Sequence, residues 1–328
     1  FAQMNQSQLK KYNFDIDASV NTYAGELALP YVSAALLGAE TIAKGRCRFL
    51  EGIVGNTVIS GLAVSDTIVA AACGFTGQEN VALTEQVLNP ADLAVMEEIC
   101  RGTMYPTWIA ANGRMQRNGE LPVDWADFLL GAVAERTGTN LEEKLWVGDA
   151  AGVFGVGFLS NDGVIDEAGI DASACKDFVE ADTGAAAWTA GNILTAMDVV
   201  FSAAANIPGI LQKPGCGFYV SYEAYAFFLQ AMAAQNTGAG YNQSMDGASY
   251  LGYPVYPTHG ITNTYDAMVF TYPDNLVVGA NSYTADISAQ LIPTYLYDGS
   301  DNVRISMRFA CGVQTGVAAD GVVGFNFT

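Results

Sequence analysis

The residue types that most often carry out catalysis are scarce in this chain of 328 residues. Its one histidine, His259, lies in a turn-like stretch between Pro257 and Gly260. A Ser-His-Asp or Cys-His unit would have to use this imidazole, yet the chain has no G-x-S-x-G sequence to present a nucleophilic serine. The sequence therefore indicates no site for nucleophilic acyl transfer.

Metal-binding side chains are also poorly grouped. The six cysteines, which show no C-x-x-C pairing, are Cys47, Cys73, Cys100, Cys175, Cys216 and Cys311. With a single histidine they lack the spaced partners of a zinc site, so we expect reduced and mostly buried thiols. The loop Asp298–Asn302 could offer oxygen ligands to Ca²⁺, but it lacks the twelve-residue spacing of an EF-hand. We expect neither a metal nor a cofactor.

Paired carboxylates are the remaining candidates for acid–base chemistry. The pairs are Glu97/Glu98, Glu142/Glu143 and Asp298/Asp301. Such pairs are typical of solvated faces and turns, which is where we place all three. No G-x-x-x-x-G-K-[ST] loop occurs, and Gly215–Gly217 precedes a predicted strand, whereas a dinucleotide loop follows one. A carboxylate-based hydrolase is the enzymatic alternative.

The composition indicates an oligomer. Charged residues make up 15% of the chain, against about 25% in an average soluble protein, and apolar residues make up 51%. A monomer with so few charges would leave much apolar surface in water, whereas the interfaces of obligate oligomers resemble a domain core. We therefore expect copies of this chain to cover one another.

The charge distribution argues against tight binding of nucleic acid. The net charge is −20, from 34 acidic and 14 basic residues, and no Lys or Arg lies between Lys213 and Arg304. Affinity for DNA depends largely on cationic contacts with phosphates, so we do not expect the chain to grip DNA. A container that encloses DNA remains compatible with this charge.

No segment predicts a membrane span or a secretion signal. A spanning helix needs about 18 or more consecutive apolar residues, and the run Leu27–Ala39 is shorter and contains Pro30. Residues Phe1–Asn21 are polar and lack the apolar centre of a signal peptide. We expect no membrane partner.

The first hundred residues predict an extended arm followed by a β-hairpin. Residues 1–25 are polar and rich in Asn and Gln, so we expect them to become ordered on a neighbouring copy. Leu27–Lys44 fits either a helix or a strand. Alternating apolar and polar residues over Arg48–Leu62 and Asn80–Leu88, separated by Gly-rich turns, predict a long hairpin. Asn89–Arg101 fits either a helix or a strand.

Three helices and a series of strands follow. The clearest helix begins at Asp124, and its apolar stripe continues to Trp146. The other predicted helices are Ala190–Ala205 and Tyr222–Gln235, the latter capped by Ser221. Strands are predicted at Gly152–Leu159, Gly217–Val220, Met268–Thr271, Leu276–Gly279, Ile287–Leu296, Val303–Val313 and Val322–Phe327. Within Val303–Phe309, Arg304 and Arg308 share one face and the apolar residues share the other.

In this order, the elements resemble the major capsid proteins of tailed bacteriophages, whose fold (the Johnson fold) is shared with encapsulins. The similarity covers nearly the whole chain and rests on a set of weak motifs in a fixed order. The most telling are LGYPV (Leu251–Val255) and the closing R-x-x-x-R-F strand (Arg304–Phe309). The others are the polar arm, the hairpin, a long "spine" helix within Leu121–Asp149, Gly217–Met232 and Met268–Gly279.

The resemblance implies an α+β fold with four named parts. These are an N-terminal arm (1–25), a P-domain (26–47 and 102–173) with its spine helix near 124–147, an E-loop hairpin (48–101) and an A-domain (174–302). Residues 303–328 would return to the P-domain as strands. The resemblance implies a strand at Leu93–Cys100, whereas the sequence pattern by itself leaves the choice between helix and strand open.

The resemblance also implies a structural protein and not an enzyme. Copies would form hexamers and pentamers that close into an icosahedral head around double-stranded DNA. Portal, scaffold and decoration proteins would be further partners, and the protein would lie in the virion after assembly in the host bacterial cytoplasm. The residues expected to contact neighbouring copies are Phe14, Val54, Val58, Val81, Leu83, Val87, Arg304 and Arg308. An encapsulin shell around an enzyme cargo is the nearest alternative.

The chain departs from part of the family in its hairpin. Some members cross-link covalently through a hairpin lysine, whereas here no lysine lies between Lys44 and Lys144. The sequence therefore predicts that the hairpin makes non-covalent contacts.

Overall fold

Helices and strands are both present along the chain, and the fold is α+β. The structure is a computed structural model and describes residues 21–24, 35–36, 38–64, 81–100, 125–149, 154–184, 186–234, 248–261, 266–281, 288–294, 300 and 302–326. The helices within these residues are α1 (Glu40–Ala43), α2 (Trp125–Val147), α3 (Glu167–Asp171), α4 (Ile193–Ala205) and α5 (Tyr222–Ala234). The strands are β1 (Asn21–Ala24), β2 (Arg48–Glu51), β3 (Thr57–Val64), β4 (Val81–Leu88), β5 (Ala91–Cys100), β6 (Val179–Asp182), β7 (Gly217–Ser221), β8 (Ser249–Tyr250), β9 (Tyr253–Thr258), β10 (Ala267–Thr271), β11 (Leu276–Asn281), β12 (Ser288–Pro293), β13 (Asn302–Thr315) and β14 (Val322–Phe325).

Strand β13 is the centre of the first sheet. One of its edges pairs antiparallel with β5, from Asn302 opposite Cys100 to Cys311 opposite Ala91. Its other edge pairs with β12 and then with β11, both antiparallel. Strand β1 continues the sheet beyond β12, and β2 lies parallel to β11. Strand β13 therefore joins five distant segments, either directly or through a neighbour.

The second sheet has the order β6-β14-β10-β7-β9-β8, and its central strands β14, β10 and β7 are buried on both faces. In β7, Phe218 and Val220 belong to one apolar core, whereas Tyr219 between them belongs to the other. Strand β10 alternates in the same way. Because both faces are covered, these strands read as continuous apolar runs in the sequence.

Each core is closed by helices. Helices α4 and α5 cover one face of the second sheet, with Val200 and Phe228 almost fully buried there. Helix α2 closes the other core, which extends across to the buried face of the first sheet and includes Leu145 and Trp146. The second sheet is therefore a middle layer between two sets of helices.

Strands β3 and β4 form an antiparallel two-stranded ribbon, in register from Thr57 opposite Leu88 to Val64 opposite Val81. Within the described residues they pair only with each other. The base of this β3–β4 ribbon is fixed by a small core of Ile53, Ile59, Leu88 and Val277. A Cβ atom at Gly279 would meet the side chains of Leu88 and Ile53, so glycine lets these two residues of the ribbon base pack closely against β11.

Helix α2 contacts the chain before α1 through a glycine. A Cβ at Gly138 would lie 2.6 Å from the Cα of Gly38 and 2.8 Å from the carbonyl oxygen of Ala35. Both neighbours are backbone atoms, which cannot move aside as a flexible side chain would. Gly138 therefore sets the distance between α2 and this segment, whereas Gly131 on the same helix has no atom within 4 Å of a Cβ.

A buried carboxyl group links α2 to α1. The backbone N–H of Thr41 donates to Glu142 Oε2 at 3.0 Å, and the Thr41 hydroxyl donates to Oε1 at 2.5 Å. The indole N–H of Trp146 lies 3.1 Å from the same Oε1. Burial raises the pKa of Glu142, and the hydrogen bonds from Thr41 and Trp146 offset this only in part. The expectation that Glu142 lies on a solvated face is therefore wrong, because these donors allow the carboxyl group to be buried.

The carboxylate of Glu40 links three segments that are far apart in the sequence. It accepts hydrogen bonds from Lys44 Nζ at 2.8 Å, from the hydroxyl of Tyr222 at 2.7 Å and from the backbone N–H of His259 at 3.2 Å. Burial alone would raise its pKa, but the bonds from Lys44 and Tyr222 outweigh burial and lower it. The start of α5, the loop after β9 and α1 thus meet at one carboxylate.

Most predicted elements are confirmed. Helix α2 begins one residue after the predicted start, α5 is capped by Ser221, whose Oγ accepts from Ala224 N at 3.1 Å, and β5 is the strand that the resemblance implied. In β13, Arg304 and Arg308 are exposed and the apolar residues between and beside them are buried, as the alternation predicts.

One predicted strand is wrong. Described residues 154–159 form no strand, and the only pairing nearby is in the isolated bridges Gly148–Asp162 and Asp149–Gly155. Gly155 has φ +75°, and a Cβ at Gly157 would lie 2.4 Å from the nitrogen of Gly148. The glycines therefore serve a tight, folded loop and not an extended strand.

The predicted domain ranges remain predictions, although strand pairing crosses several of their boundaries. Strand β11 lies within the predicted A-domain range but pairs with β13 and β2 of the first sheet. Strand β14 lies in the predicted return segment but pairs with β10 and β6 of the second sheet. Strand β1, from the end of the predicted arm, pairs with β12 of its own chain, and residues 1–20 lie outside the described residues.

Two glycines of helix α2 should respond in opposite ways to the same change. Gly131→Ala should raise the free energy of unfolding by about 0.5–1 kcal/mol, because alanine restricts the unfolded chain and meets no atom here. Gly138→Ala should lower it by about 1–3 kcal/mol, because the new methyl group meets fixed backbone. Urea denaturation of both variants measures the difference, and equal effects would contradict the close approach at Gly138.

Glu142 should make stability depend on pH. The pKa of Glu142 in the folded protein lies above the ordinary value of 4.5. Its contribution to the free energy of unfolding is therefore fully present below pH 4.5 and is lost as the pH rises through the raised pKa. Glu142→Gln removes this titration, so the melting temperature of the variant relative to the natural protein should rise from pH 5 to pH 8. Any rearrangement of the hydrogen bonds to Thr41 in the variant should shift its melting temperature by the same amount at every pH. Glu143→Gln, at the exposed neighbour, is the control and should show no such trend.

Candidate assembly surface

One face of the β3–β4 ribbon is left open by its own chain and carries exposed apolar side chains together with the exposed Ser60 and Glu85. Val58 and Val87 lie directly opposite each other in the register, and their side chains are 55% and 49% exposed. Leu83 lies further along the same face and is 64% exposed. Val54, in the loop before β3, is also exposed. We call Val58, Leu83 and Val87 the open face of the ribbon.

The other face of the ribbon explains why this open face is available. Ile59 and Leu88, which point to the opposite side, are buried against the body of the molecule. Gln314 of β13 also donates a hydrogen bond from Nε2 to the carbonyl oxygen of Val87 at 3.1 Å. The ribbon is therefore fixed at its base while its open face remains in solvent.

Two of the predicted contact residues cannot be placed as side chains. Val81 lies opposite Val64 at the far end of the register, on the strand that carries Leu83 and Val87, but the structure describes only its backbone. Phe14 lies outside the described residues. Their roles stay predictions.

The two predicted arginines lie on the outer face of the first sheet. Arg304 Nε lies 2.9 Å from Glu98 Oε2, and Asn302 Nδ2 donates to Glu98 Oε1 at 2.7 Å. Arg308 is exposed on the same face and forms no ion pair with a described residue. The charge of Arg304 is therefore already paired within its own chain, whereas Arg308 has no such pair among the described residues.

Sequence reasoning missed Met96, which lies on this outer face opposite Ser306 and is 66% exposed. The sequence indicates that Met96 is exposed only once β5 is known to be a strand. Alternation then places Met96 beside Ala94 and Glu98 and away from Val95. Because the sequence pattern did not decide between a helix and a strand for this segment, the exposure of Met96 was not predicted.

The residues considered for catalysis are not brought together. Glu97 and Glu98 are neighbours on strand β5 and so lie on opposite faces, and Glu142 is buried whereas Glu143 is exposed. Burial raises the pKa of the Cys47 thiol to about 12, which disfavours the nucleophilic thiolate. Asp298 and Asp301 lie outside the described residues.

Two further observations concern metals and membranes. In the part of the chain that the structure describes, no three His, Cys, Asp or Glu side chains are close enough together to hold a metal ion. None of the described helices is both long and apolar enough to cross a membrane.

Solved structures show the same arrangement over most of the chain. A chain of the capsid of a native GTA particle matches with a TM-score of 0.56 at 13% identity, covering 90% of this chain and 91% of its own. A chain of the satellite phage P4 procapsid, in a structure that includes the size determination (Sid) protein, matches with a TM-score of 0.56 at 12% identity, covering 99% and 98%. The chain has the fold of phage capsid proteins.

A third structure, from Gordonia phage Cozz, matches this capsid fold with a TM-score of 0.53 at 13% identity, covering 88% of this chain and 87% of its own. No protein-family model matches the sequence, and no curated protein matches it by sequence. The resemblance based on the motif order is thus confirmed for the fold by these similar structures.

The Arg304–Glu98 pair should contribute little to the stability of this capsid fold. Both side chains are about half exposed, at 57% and 42%, so water screens their attraction. A double-mutant cycle with Arg304→Ala and Glu98→Ala should give a coupling free energy below about 1 kcal/mol in urea denaturation. A coupling free energy above about 2 kcal/mol would contradict this and show that the ion pair is a main contribution to the pairing of β5 with β13.

Proposed function

We propose that this protein is the major capsid protein of a tailed bacteriophage, a shell subunit with no enzymatic role. The observation that carries the proposal is the open face of the β3–β4 ribbon, with its exposed Val58, Leu83 and Val87, on a chain with the capsid fold. Copies would form hexamers and pentamers and close into an icosahedral head around double-stranded DNA. The protein would lie in the virion after assembly in the host cytoplasm.

The energetics of the ribbon support this proposal. An exposed valine or leucine gains roughly 1 kcal/mol or more when a neighbour covers it, since full burial contributes about 1.5–3 kcal/mol. Val58, Leu83 and Val87 together would contribute several kcal/mol to each contact. In a closed shell every copy both gives and receives such a contact, so small gains are repeated over the whole particle.

Charge supports a container and not a DNA-binding protein. The net charge of −20 repels phosphate, so DNA would be enclosed without being gripped. Shell contacts between such acidic copies have to rely mainly on strand pairing and apolar side chains. Arg308, exposed and without an ion pair to a described residue, is the basic side chain of the final strand that could meet an acidic neighbour.

The named parts of the shell subunit would have separate roles. The arm, including Phe14, and the ribbon, including Val81, would overlap neighbouring copies. The A-domain, near 174–302, would point towards the five-fold and quasi-six-fold axes. Portal and scaffold proteins, and in some heads decoration proteins, would complete the particle.

Replacing Val58 and Val87 with threonine should impair assembly without unfolding the subunit. Threonine keeps the branched shape and strand preference of valine but puts a hydroxyl group into the contact. The double variant should raise the lowest concentration that yields shells by at least about tenfold. Sedimentation and negative-stain electron microscopy of the purified protein measure this, and the melting temperature should change by only a few degrees.

The matched control is the double change Val156→Thr and Val164→Thr, at two exposed valines away from the ribbon. It should assemble as the natural protein does. Natural protein that remains monomeric or forms only small oligomers at every concentration would contradict the proposed function. Shells that contain packaged enzymes and no DNA, when isolated from the native host, would indicate an encapsulin instead.

A further inference from the structure

Strand β5 has one edge that pairs with no other described strand. Over Ala91–Cys100 its first edge pairs with β13, and the strand contains neither proline nor glycine. Because the N–H and C=O groups of such an edge can pair with a further strand, proteins usually protect it with a proline, a bulge, a cover or charges. Here the protection within the strand is the negative charge of Asp92, Glu97 and Glu98. This edge can therefore accept a further strand that brings a positive charge.

A cleft of about 520 Å³ lies between β5 and helix α2. Five consecutive residues of β5, Leu93–Glu97, line it. Since neighbouring residues of a strand point to opposite faces, the cleft follows the edge of β5 and not one face alone. The opposite wall is a stripe of α2 from Leu129 to Lys144, which is about 22 Å long. We call this space the β5–α2 cleft.

The β5–α2 cleft has apolar walls and charges of both signs. Val133 and Phe154 are among its apolar lining residues. Glu97 and Arg136 also line it, are exposed and form no ion pair with a described residue. A matching occupant would have one apolar face and would carry both a basic and an acidic side chain.

The segment KYNFDID, residues 11–17, has this pattern and lies outside the described residues. Its apolar residues Tyr12, Phe14 and Ile16 alternate with polar ones, as in a strand with one buried face. Lys11 provides the positive charge, and the last polar residue, Asp17, provides a negative one. When extended, the segment is about 20 Å long, which matches the length of the β5–α2 cleft.

This segment cannot reach the β5–α2 cleft of its own chain. Across the first sheet, Asn21 lies opposite Leu291, Leu291 opposite Ile305 and Ile305 opposite Glu97. A strand added beyond β5 would therefore lie four strand spacings from β1, which is about 19 Å. The four residue steps from Asp17 to Asn21 span at most about 14 Å. Another copy has to supply the segment.

We propose that residues 11–17 of a second copy add a strand to the free edge of β5 and place Tyr12, Phe14 and Ile16 in the β5–α2 cleft. The inference rests on the proposed function and names the place where the arm of one shell subunit docks on the next. Backbone hydrogen bonds can join two copies that each carry a net charge of −20, because they do not require opposite net charges. Each copy gives one arm and receives another, as a closed ring of subunits requires.

Adjacent substitutions in the arm test which of its faces is buried. Phe14→Asp puts a carboxylate into the β5–α2 cleft, whereas Asn13→Asp puts the same group on the polar face of the segment. Phe14→Asp should raise the lowest concentration that yields shells by at least about tenfold, because the burial of an aromatic ring is lost. Asn13→Asp, the matched control, should assemble nearly as the natural protein does. Sedimentation and negative-stain electron microscopy measure both.

A substitution on α2 tests the same contact from the other side. Ala132 is exposed and lines the β5–α2 cleft, so Ala132→Trp should block the arm and weaken assembly as Phe14→Asp does. Glu135→Trp, at an exposed position of α2 outside the cleft, is the control and should assemble normally. The melting temperature of the unassembled subunit should stay the same in both variants.

The nearest rival for the β5–α2 cleft is residues 101–124 of the same chain. Their apolar run Met104–Ile109 contains Pro106, which has no N–H to donate to a neighbouring strand. If this rival fills the cleft, Ala132→Trp should lower the melting temperature of the unassembled subunit and Phe14→Asp should leave assembly unchanged. That result would overturn the inference.

A photoreactive residue locates the arm directly. With p-benzoyl-phenylalanine in place of Phe14, irradiation of shells should join two copies, and mass spectrometry should find the link in β5 or α2. Links within one chain, links to another part of a neighbour, or no links would show that the docking place is wrong while the proposed function stands. If the natural protein forms no shells at all, the proposed function fails and this inference fails with it.

Discussion

The first sheet depends on the backbone hydrogen bonds that strand β13 makes along both of its edges. One edge holds β5, and with it the base of the β3–β4 ribbon, while the other holds β12 and β11. Its buried side chains, among them Ile305 and Met307, complete the core that helix α2 covers. Loss of this strand would release the ribbon from the body, so the surface proposed for assembly depends on the same bonds as the core.

Much of the fold could be predicted because its patterns are local. The capped apolar stripe of helix α2, the alternation in β13 and the strand–helix unit at Ser221 each follow from a few neighbouring residues. Segment 89–101 could not be decided, since its strand form depends on pairing with β13, which lies about 200 residues further along the chain. The loop after Gly152 was mistaken for a strand because close packing of Gly157 against Gly148 leaves no trace in a hydropathy pattern.

The candidate surface could be predicted only in part for the same reason. Alternation in β3 and β4 identifies Val58, Leu83 and Val87, but which face is open depends on how Ile59 and Leu88 pack against Val277. Burial of Glu142 could not be foreseen either, because two of its three hydrogen-bond donors belong to Thr41, about a hundred residues earlier in the chain.

The position of β13 near the carboxyl end has a consequence for synthesis on the ribosome. Strand β5 is made about 200 residues before the partner that satisfies its backbone. During translation its edges are exposed, together with the apolar residues Leu93, Val95 and Ile99. A nascent chain in this state is prone to aggregate, and pairing between such distant segments is slow. Chaperones that shield the growing chain are therefore expected to determine how much of the protein reaches its native state.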